Sequence, residues 1–359
     1  MKKRIYLLYG GKSAEHEVSI RTAFSVICAL DFTKYEVTPV YITKDGNWMK
    51  RDVLKEPPKT MDELERQLNR DVNGLIEIMR DIAQAKENGE QLPILFPLLH
   101  GTNGEDGTVQ GLFEILNIPF VGNGVLASAA GMDKVIMKNL FAQAGLPQVK
   151  YVSFNRFEWE KNEDGAYDEV EKKIGYPCFV KPANLGSSVG ISKCQSREQL
   201  QKAFREAFQF DRKIIIEQGV EAREIEIGLL GNESPECSVA GEIIPKAEFY
   251  DYKAKYEDGN TALVIPADIP NETYERVKEI ALKAFKVLDC SGLVRADFFL
   301  TKNGEVLINE INTMPGFTPV SMYPLLWKHT GIDYPELIDK LIEFGCEQYR
   351  EKEKIRYTF

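Results

Sequence analysis

The stretch Leu293-Val294-Arg295-Ala296-Asp297-Phe298-Phe299-Leu300, Thr301-Lys302-Asn303-Gly304, Glu305-Val306-Leu307-Ile308-Asn309-Glu310-Ile311-Asn312-Thr313-Met314-Pro315-Gly316 decides how this chain is read. Two apolar runs flank an Asn-Gly pair, the dipeptide that best tolerates the positive φ of a two-residue hairpin turn. With Asn303 and Gly304 as the whole loop, Asp297 faces Glu310 and Arg295 faces Asn312. Alternation by two then puts all four on one face, with facing Cβ atoms about 4.5–5.5 Å apart. Facing carboxylates repel in a half-buried sheet unless a cation lies between them. Mg²⁺ takes oxygen ligands, commonly one or two carboxylates, and leaves its remaining positions to water and phosphate. Asp297, Glu310 and Asn312 supply such oxygens. A solvated face with a structural ion pair is the plain alternative, and four polar residues in register weigh against it.

The rest of the chain has to supply the phosphate. With 359 residues it has material for two or three domains. A balance of 45 Lys plus Arg against 55 Asp plus Glu, net −10, argues against polyanionic partners, so neither nucleic acid nor an anionic membrane is expected. Six cysteines without a C-x-x-C and three histidines without ligand spacing imply reduced thiols, a cytosolic setting and no zinc. The apolar run Ile5 to Tyr9 after Met1-Lys2-Lys3-Arg4 ends at Gly10-Gly11, too short for a signal peptide, and no window approaches a membrane span.

Ile5 to Tyr9 reads as a buried strand, followed by Gly10-Gly11 and a helix whose inward face is Ile20, Ala23, Phe24, Ile27 and Leu30. A second strand follows at Val37 to Ile42. This opens a doubly wound sheet, with ligands beyond the strand carboxyl ends. Gly10, Gly11, Ser13 and Glu15 then line a crevice, although an acid at a helix start also serves the dipole alone. A dinucleotide fold lacks its full G-x-G-x-x-G here. The polar segment from Arg51 to Gly89 reads as a peripheral insertion. Leu92 to Leu99 is a strand running into the glycine-rich loop His100 to Gly107, where His100 serves either a site or loop hydrogen bonding. The first domain closes near Phe120-Val121-Gly122.

Met132 to Ala144 reads as a helix stopped by Gly145 and Pro147; its Lys134 either reaches a ligand or caps a solvated face. Lys181-Pro182-Ala183-Asn184-Leu185-Gly186-Ser187-Ser188-Val189-Gly190 joins two strands and lacks the Gly-Lys-Ser/Thr end of a Walker loop. A flap of this composition points N–H and hydroxyl donors at phosphates, with Lys181 as a point charge; a surface hairpin is the alternative. Glu217 and Glu224 sit at strand ends. Tyr250 to Gly259 is polar and aromatic without period, which suits a lid.

Together, Gly10 to Ser19, the Lys181 to Gly190 flap, the Tyr250 to Tyr256 loop and Arg295-Ala296-Asp297-Phe298 with Glu310-Ile311-Asn312 resemble the D-alanine:D-alanine ligase family of the ATP-grasp superfamily, in order along nearly the whole chain. The resemblance implies an α/β, three-domain ATP-grasp architecture: an N-terminal substrate-binding domain with a doubly wound parallel sheet (1–122), a central domain with the phosphate flap (123–217) and a C-terminal domain with the metal site and lid (218–359), the latter two clasping ATP. It implies two Mg²⁺ or Mn²⁺ ions on Asp297, Glu310 and Asn312. Lys134, Lys181 and Ser188 would meet ATP phosphates, and Glu217 and Glu224 the adenine and ribose. Glu15, Ser187, Lys255, Tyr256 and Arg295 would be catalytic, and His100, Gly316 and Ser321 would hold substrate. Gly219 and Val220 stand where many members carry a bulkier pair.

The implied reaction joins two D-alanines through an acyl phosphate, releasing ADP and phosphate, for peptidoglycan precursors in the cytoplasm, with a homodimer as the family state. A D-alanine:D-lactate ligase and a non-catalytic nucleotide-binding protein on the same scaffold are the rivals. Lys255-Tyr256 argues against the first, and the filled catalytic positions against the second.

Overall fold

The computed structural model describes residues 2–65, 73–186, 190–245, 261–356 and 358. Among these residues three sheets organise the fold. The first contains β1 (Lys3–Gly10), β2 (Tyr35–Ile42), β3 (Trp48–Lys50) and β4 (Ile94–Pro97), in the order β3-β2-β1-β4. Its β1 pairs in parallel with β2 and β4, while β3 is an antiparallel edge. The second contains β5 (Tyr151–Asn155), β6 (Cys178–Pro182), β7 (Ser192–Cys194) and β8 (Lys213–Gln218), in the antiparallel order β5-β8-β6-β7. The third, β9 (Ala222–Gly231), β10 (Glu236–Pro245), β11 (Thr261–Val264), β12 (Gly292–Thr301) and β13 (Val306–Asn312), is antiparallel in the order β11-β10-β9-β12-β13.

The near-continuous apolar run of β1 is what a parallel strand covered on both faces requires. One cover is the helix His16–Ala29, through Ile20, Ala23, Val26 and Ile27. The other part comes from the far end of the chain: Leu337, Ile338, Leu341 and Ile342, on the helix Tyr334–Lys352, are fully buried in the same core as Ile5 and Leu7. Each such side chain contributes about 1.5–3 kcal/mol relative to exposure. The segment after Arg51 departs from the expected peripheral insertion. Leu64 joins this core, Tyr9 donates to the Leu64 carbonyl at 2.8 Å, and the helix Gly74–Glu87 buries Ile78 and Ile82 against Leu8 and Leu95. Its polar composition reflects the outer face of an amphipathic helix, which hid an apolar stripe of the right period.

On the third sheet, alternation along β9 sends Ile225, Ile227 and Leu229 into a core with the helices Val125–Met132, Lys134–Gln143 and Asn271–Val287. The alternate residues Glu224 and Glu226 line a cavity. The buried Asn123 ties the first sheet's exit to the third. Its amide donates to the carbonyls of Leu293 (2.7 Å) and Thr313 (2.8 Å) and accepts from Ser291 N–H at 2.9 Å. Among the described residues no helix is long and apolar enough to cross a membrane.

Candidate active site

The β12–β13 hairpin is not closed by a two-residue turn. Thr301 N–H donates to Glu305 O and Gly304 N–H to Thr301 O, both at 3.0 Å, so Lys302, Asn303 and Gly304 form a three-residue loop with Gly304 at φ 82°, the position where a left-handed residue follows a type I turn. Next to the loop the pairs are accordingly Leu300 with Val306, Phe299 with Leu307 and Phe298 with Ile308. A bulge at Asn309 then restores the expected register: Asp297 faces Glu310, Ala296 faces Ile311 and Arg295 faces Asn312.

The bulge decides which way the acids point. Val306 and Ile308 are buried, and an unbroken strand would carry Glu310 and Asn312 onto that same core face. One extra residue reverses the alternation, so Ile311 is buried and Glu310 and Asn312 line the cavity. Neighbouring segments fix the bulged strand: Ile308 N–H donates to Pro147 O at 2.8 Å, and Lys138 Nζ donates to Asn309 O at 3.3 Å.

Arg295 is buried and grips Asp297 with two bonds of 2.7 Å, Nε to Oδ1 and Nη2 to Oδ2. Its Nε also lies 2.9 Å from Glu226 Oε2, and Asn312 donates to Asp297 Oδ2 at 2.9 Å. Burial disfavours the Arg295 charge, but Asp297 and Glu226 more than compensate and push its pKa well up.

The opposite wall carries lysines. Asp133 caps the helix Lys134–Gln143 by accepting from Val135 and Ile136 N–H at 3.1 Å, and it pairs with Lys213. That places Lys134 and Lys138 four apart on one face. Lys134 Nζ donates to Leu185 O at 3.0 Å and lies 3.8 Å from Glu310 Oε2. Lys181, on β6, lies 2.6 Å from Glu217 Oε2, and Lys138 lies 3.1 Å from Glu217 Oε1. Burial pushes the Glu217 carboxyl up, yet Lys138 and Lys181 outweigh it and hold it down to about 2. Burial lowers the pKa of Lys138; for Lys181 burial is outweighed by Glu217 and Glu310, and its pKa is raised. Between the walls lies a cavity of about 310 Å³ lined by Lys134, Lys181, Glu224, Asp297, Glu310 and Asn312 among others.

Glu15 reaches this region from the first sheet. A Cβ on Gly101 would fall 2.8 Å from Glu15 Oε2 and 2.6 Å from Ser13 Oγ, and a Cβ on Gly186 would fall 3.3 Å from Glu15 Oε2. The carboxylate thus sits between the His100 loop and the root of the flap. His100 is interior, with Nδ1 3.3 Å from Glu105 Oε1 and Nε2 3.3 Å from Thr22 Oγ1. Burial works against its charge, but Glu105 and Glu15 hold its pKa above the ordinary value. Beyond the hairpin, Ser321 Oγ accepts from Thr318 N–H at 3.1 Å and bonds the Thr318 hydroxyl at 2.8 Å, close under Gly316.

Of the residues singled out in the sequence, Lys134, Lys181, Glu217, Glu224, Arg295, Asp297, Glu310 and Asn312 line one cavity. Glu15 abuts it through Gly186, whereas His100 lies in the loop behind Glu15. Ser187, Ser188, Lys255 and Tyr256 lie outside the described residues. Glu105, Glu226, Lys138 and the Asn309 bulge were missed. Only Lys138 had a signal in the sequence, its spacing of four from Lys134 along a helix.

Two antiparallel sheets that close on a cleft, with lysines on one wall and an acidic hairpin on the other, define an ATP-grasp enzyme. Residues 4–123 match the family model described as D-ala D-ala ligase N-terminus, and residues 140–343 match D-ala D-ala ligase C-terminus. A D-alanine--D-alanine ligase of Bacillus cytotoxicus is 59% identical, with 99% of each chain covered. Among solved structures, the D-alanine-D-alanine ligase of Coxiella burnetii superposes with TM-score 0.80 at 33% identity, covering 98% of this chain and 96% of that one. The VanG D-Ala:D-Ser ligase of Enterococcus faecalis gives 0.81 at 34%, covering 96% and 100%. The chain belongs to the D-alanine–D-alanine ligase family and is an ATP-dependent ligase.

Proposed function

We propose that the chain joins two D-alanines to D-alanyl-D-alanine in the cytoplasm, for peptidoglycan precursors, in the cleft between the lysine wall and the β12–β13 hairpin. The observation that carries this reading is the single cavity that holds Lys134 and Lys181 opposite Asp297, Glu310 and Asn312. The carboxylate of the first D-alanine attacks the γ-phosphate of ATP, giving an acyl phosphate and ADP. The amine of the second then attacks that carbonyl, and phosphate leaves.

Among the described residues no group of three or more His, Cys, Asp or Glu side chains is placed to hold a metal ion on its own. Two carboxylates and an amide are instead a donor set that leaves room for phosphate and water, which fits magnesium or manganese better than a closed protein cage. Two such ions, held by Asp297, Glu310 and Asn312, would neutralise charge on the transferring phosphoryl group. Lys134, Lys181 and Ser188 hold the phosphates; Glu224 meets the ribose and the Glu217 segment the adenine. Arg295 and Lys255 stabilise the charge that builds on the tetrahedral oxyanion.

Glu15 orients the ammonium of the first D-alanine, with His100 behind it, and shares a hydrogen-bonded set with Ser187 and Tyr256; the closeness of Gly186 to Glu15 supports that set. Gly316 N–H and Ser321 hold the second substrate. The working units are 1–122, 123–217 and 218–359, in a homodimer. ADP release measured with D-alanine, D-serine, D-lactate and L-alanine tests the reading. Dipeptide formed from D-alanine is expected; exclusive use of D-lactate or D-serine as acceptor, or no ADP release with D-alanine, would overturn it.

A further inference from the structure

Lys138 is almost completely buried, yet it does not line the cavity. Its ammonium joins two parts of the site. On one side it lies 3.1 Å from Glu217 Oε1, while Lys181 holds the other oxygen at 2.6 Å. On the other it donates at 3.3 Å to the carbonyl of Asn309, the bulged residue directly before Glu310. A lysine that meets a phosphate must exchange part of its existing pairing for the new one. If Lys181 were the sole partner of Glu217, turning toward phosphate would strand a carboxylate in the interior, which is costly. A second, permanent ammonium removes that penalty.

We propose that Lys138 is a positioning residue for nucleotide binding: it neutralises Glu217 so that Lys181 is available to phosphate, and it pins the bulge that aims Glu310 into the cavity. This rests on the nucleotide-site reading above and extends it to a residue that touches no substrate. Lys134, four residues earlier on the same helix face, points into the cavity, so one helix supplies both a cavity-lining ammonium and the buried one that releases Lys181.

The test is binding of the non-hydrolysable analogue AMP-PNP to the intact chain, with and without magnesium. Lys138→Met should weaken binding about tenfold or more, because Glu217 then competes with phosphate for Lys181. Lys138→Arg should retain most of the affinity. Adding Glu217→Gln to Lys138→Met should restore much of what was lost, since no buried carboxylate is left to satisfy, an interaction a double-mutant cycle isolates. A merely structural lysine would give additive losses instead.

Wild-type affinity in Lys138→Met, or a double variant as weak as the single one, would overturn the proposal. Should Lys138→Met fail to fold, the double variant is compared with Glu217→Gln alone: affinity equal to that of Glu217→Gln supports the proposal, and a further loss of about tenfold overturns it. A wild-type chain that does not bind the analogue sinks the nucleotide-site reading together with this one.

Discussion

Asp297 on β12 and Glu310 on β13 face each other directly, one residue before the two strands fall out of step. They are paired carboxylates with unlike surroundings: Asp297 is held by both arms of Arg295, whereas Glu310 has Lys134 at 3.8 Å. Their substitutions should therefore separate. Glu310→Gln is expected to abolish ADP release with a melting temperature within a few degrees of wild type. Asp297→Asn should also abolish it, and in addition weaken the fold by about 2 kcal/mol or more, since a buried guanidinium loses a charged partner. Calorimetry of the two variants side by side checks this, and equal melting would contradict the structural half of Asp297's role.

Deleting Asn309 tests what the bulge adds beyond register. Glu310 would then follow Ile308 directly and keep to the cavity face opposite Asp297, but the carbonyl that accepts from Lys138 and the local bend would be gone. Reduced ADP release with a modest drop in urea midpoint is expected; complete unfolding would show that the bulge holds the strand itself. Replacing Asn309 by Ala should leave the bulge in place and the stability nearly unchanged, because the bonded atom is the backbone carbonyl.

The Glu217 carboxyl is held down to about 2 from an ordinary 4.5. A folded-state value below the unfolded one contributes stability that is complete above about pH 4.5 and is lost as pH falls toward 2. Wild type should therefore lose stability more steeply over that window than Glu217→Gln, which has no such group to protonate. Acid unfolding followed by circular dichroism gives the comparison; parallel curves would show that the lysine pair does not depress this carboxyl.

Gly101 adopts φ 74° with no room for a Cβ beside Ser13 and Glu15. Gly101→Ala should displace the Glu15 carboxylate and raise KM for D-alanine about tenfold, while KM for ATP stays within about twofold. An unchanged D-alanine KM would remove Glu15 from substrate orientation.

Much of this was legible in the sequence, and the reasons differ from element to element. The parallel sheet showed itself through the apolar run of β1. Arg295, Asp297, Glu310 and Asn312 showed themselves because an alternating strand leaves few explanations for four facing polar residues. Their pairing was inferred from the wrong turn: the loop holds three residues rather than two, and the bulge at Asn309 cancels the difference. Nothing local in Ile308-Asn309-Glu310 announces a bulge, because its supports, Pro147 and Lys138, come from another segment of the chain. Glu226 was illegible for a similar reason. It acquires meaning only when β9 is laid beside β12, opposite Asp297.

The closing helix Tyr334–Lys352 seals the sheet that opens the chain. A ribosome delivers β1 long before this helix, so the face bounded by Ile5 and Leu7 stays without that partner until Leu337 to Ile342 have emerged. The first sheet cannot complete its core as an early, self-sufficient unit. Assembly of the ligase waits on the segment Leu337 to Ile342, and a ribosome stalled before Tyr334 would present an apolar sheet to whatever chaperone stands at the exit.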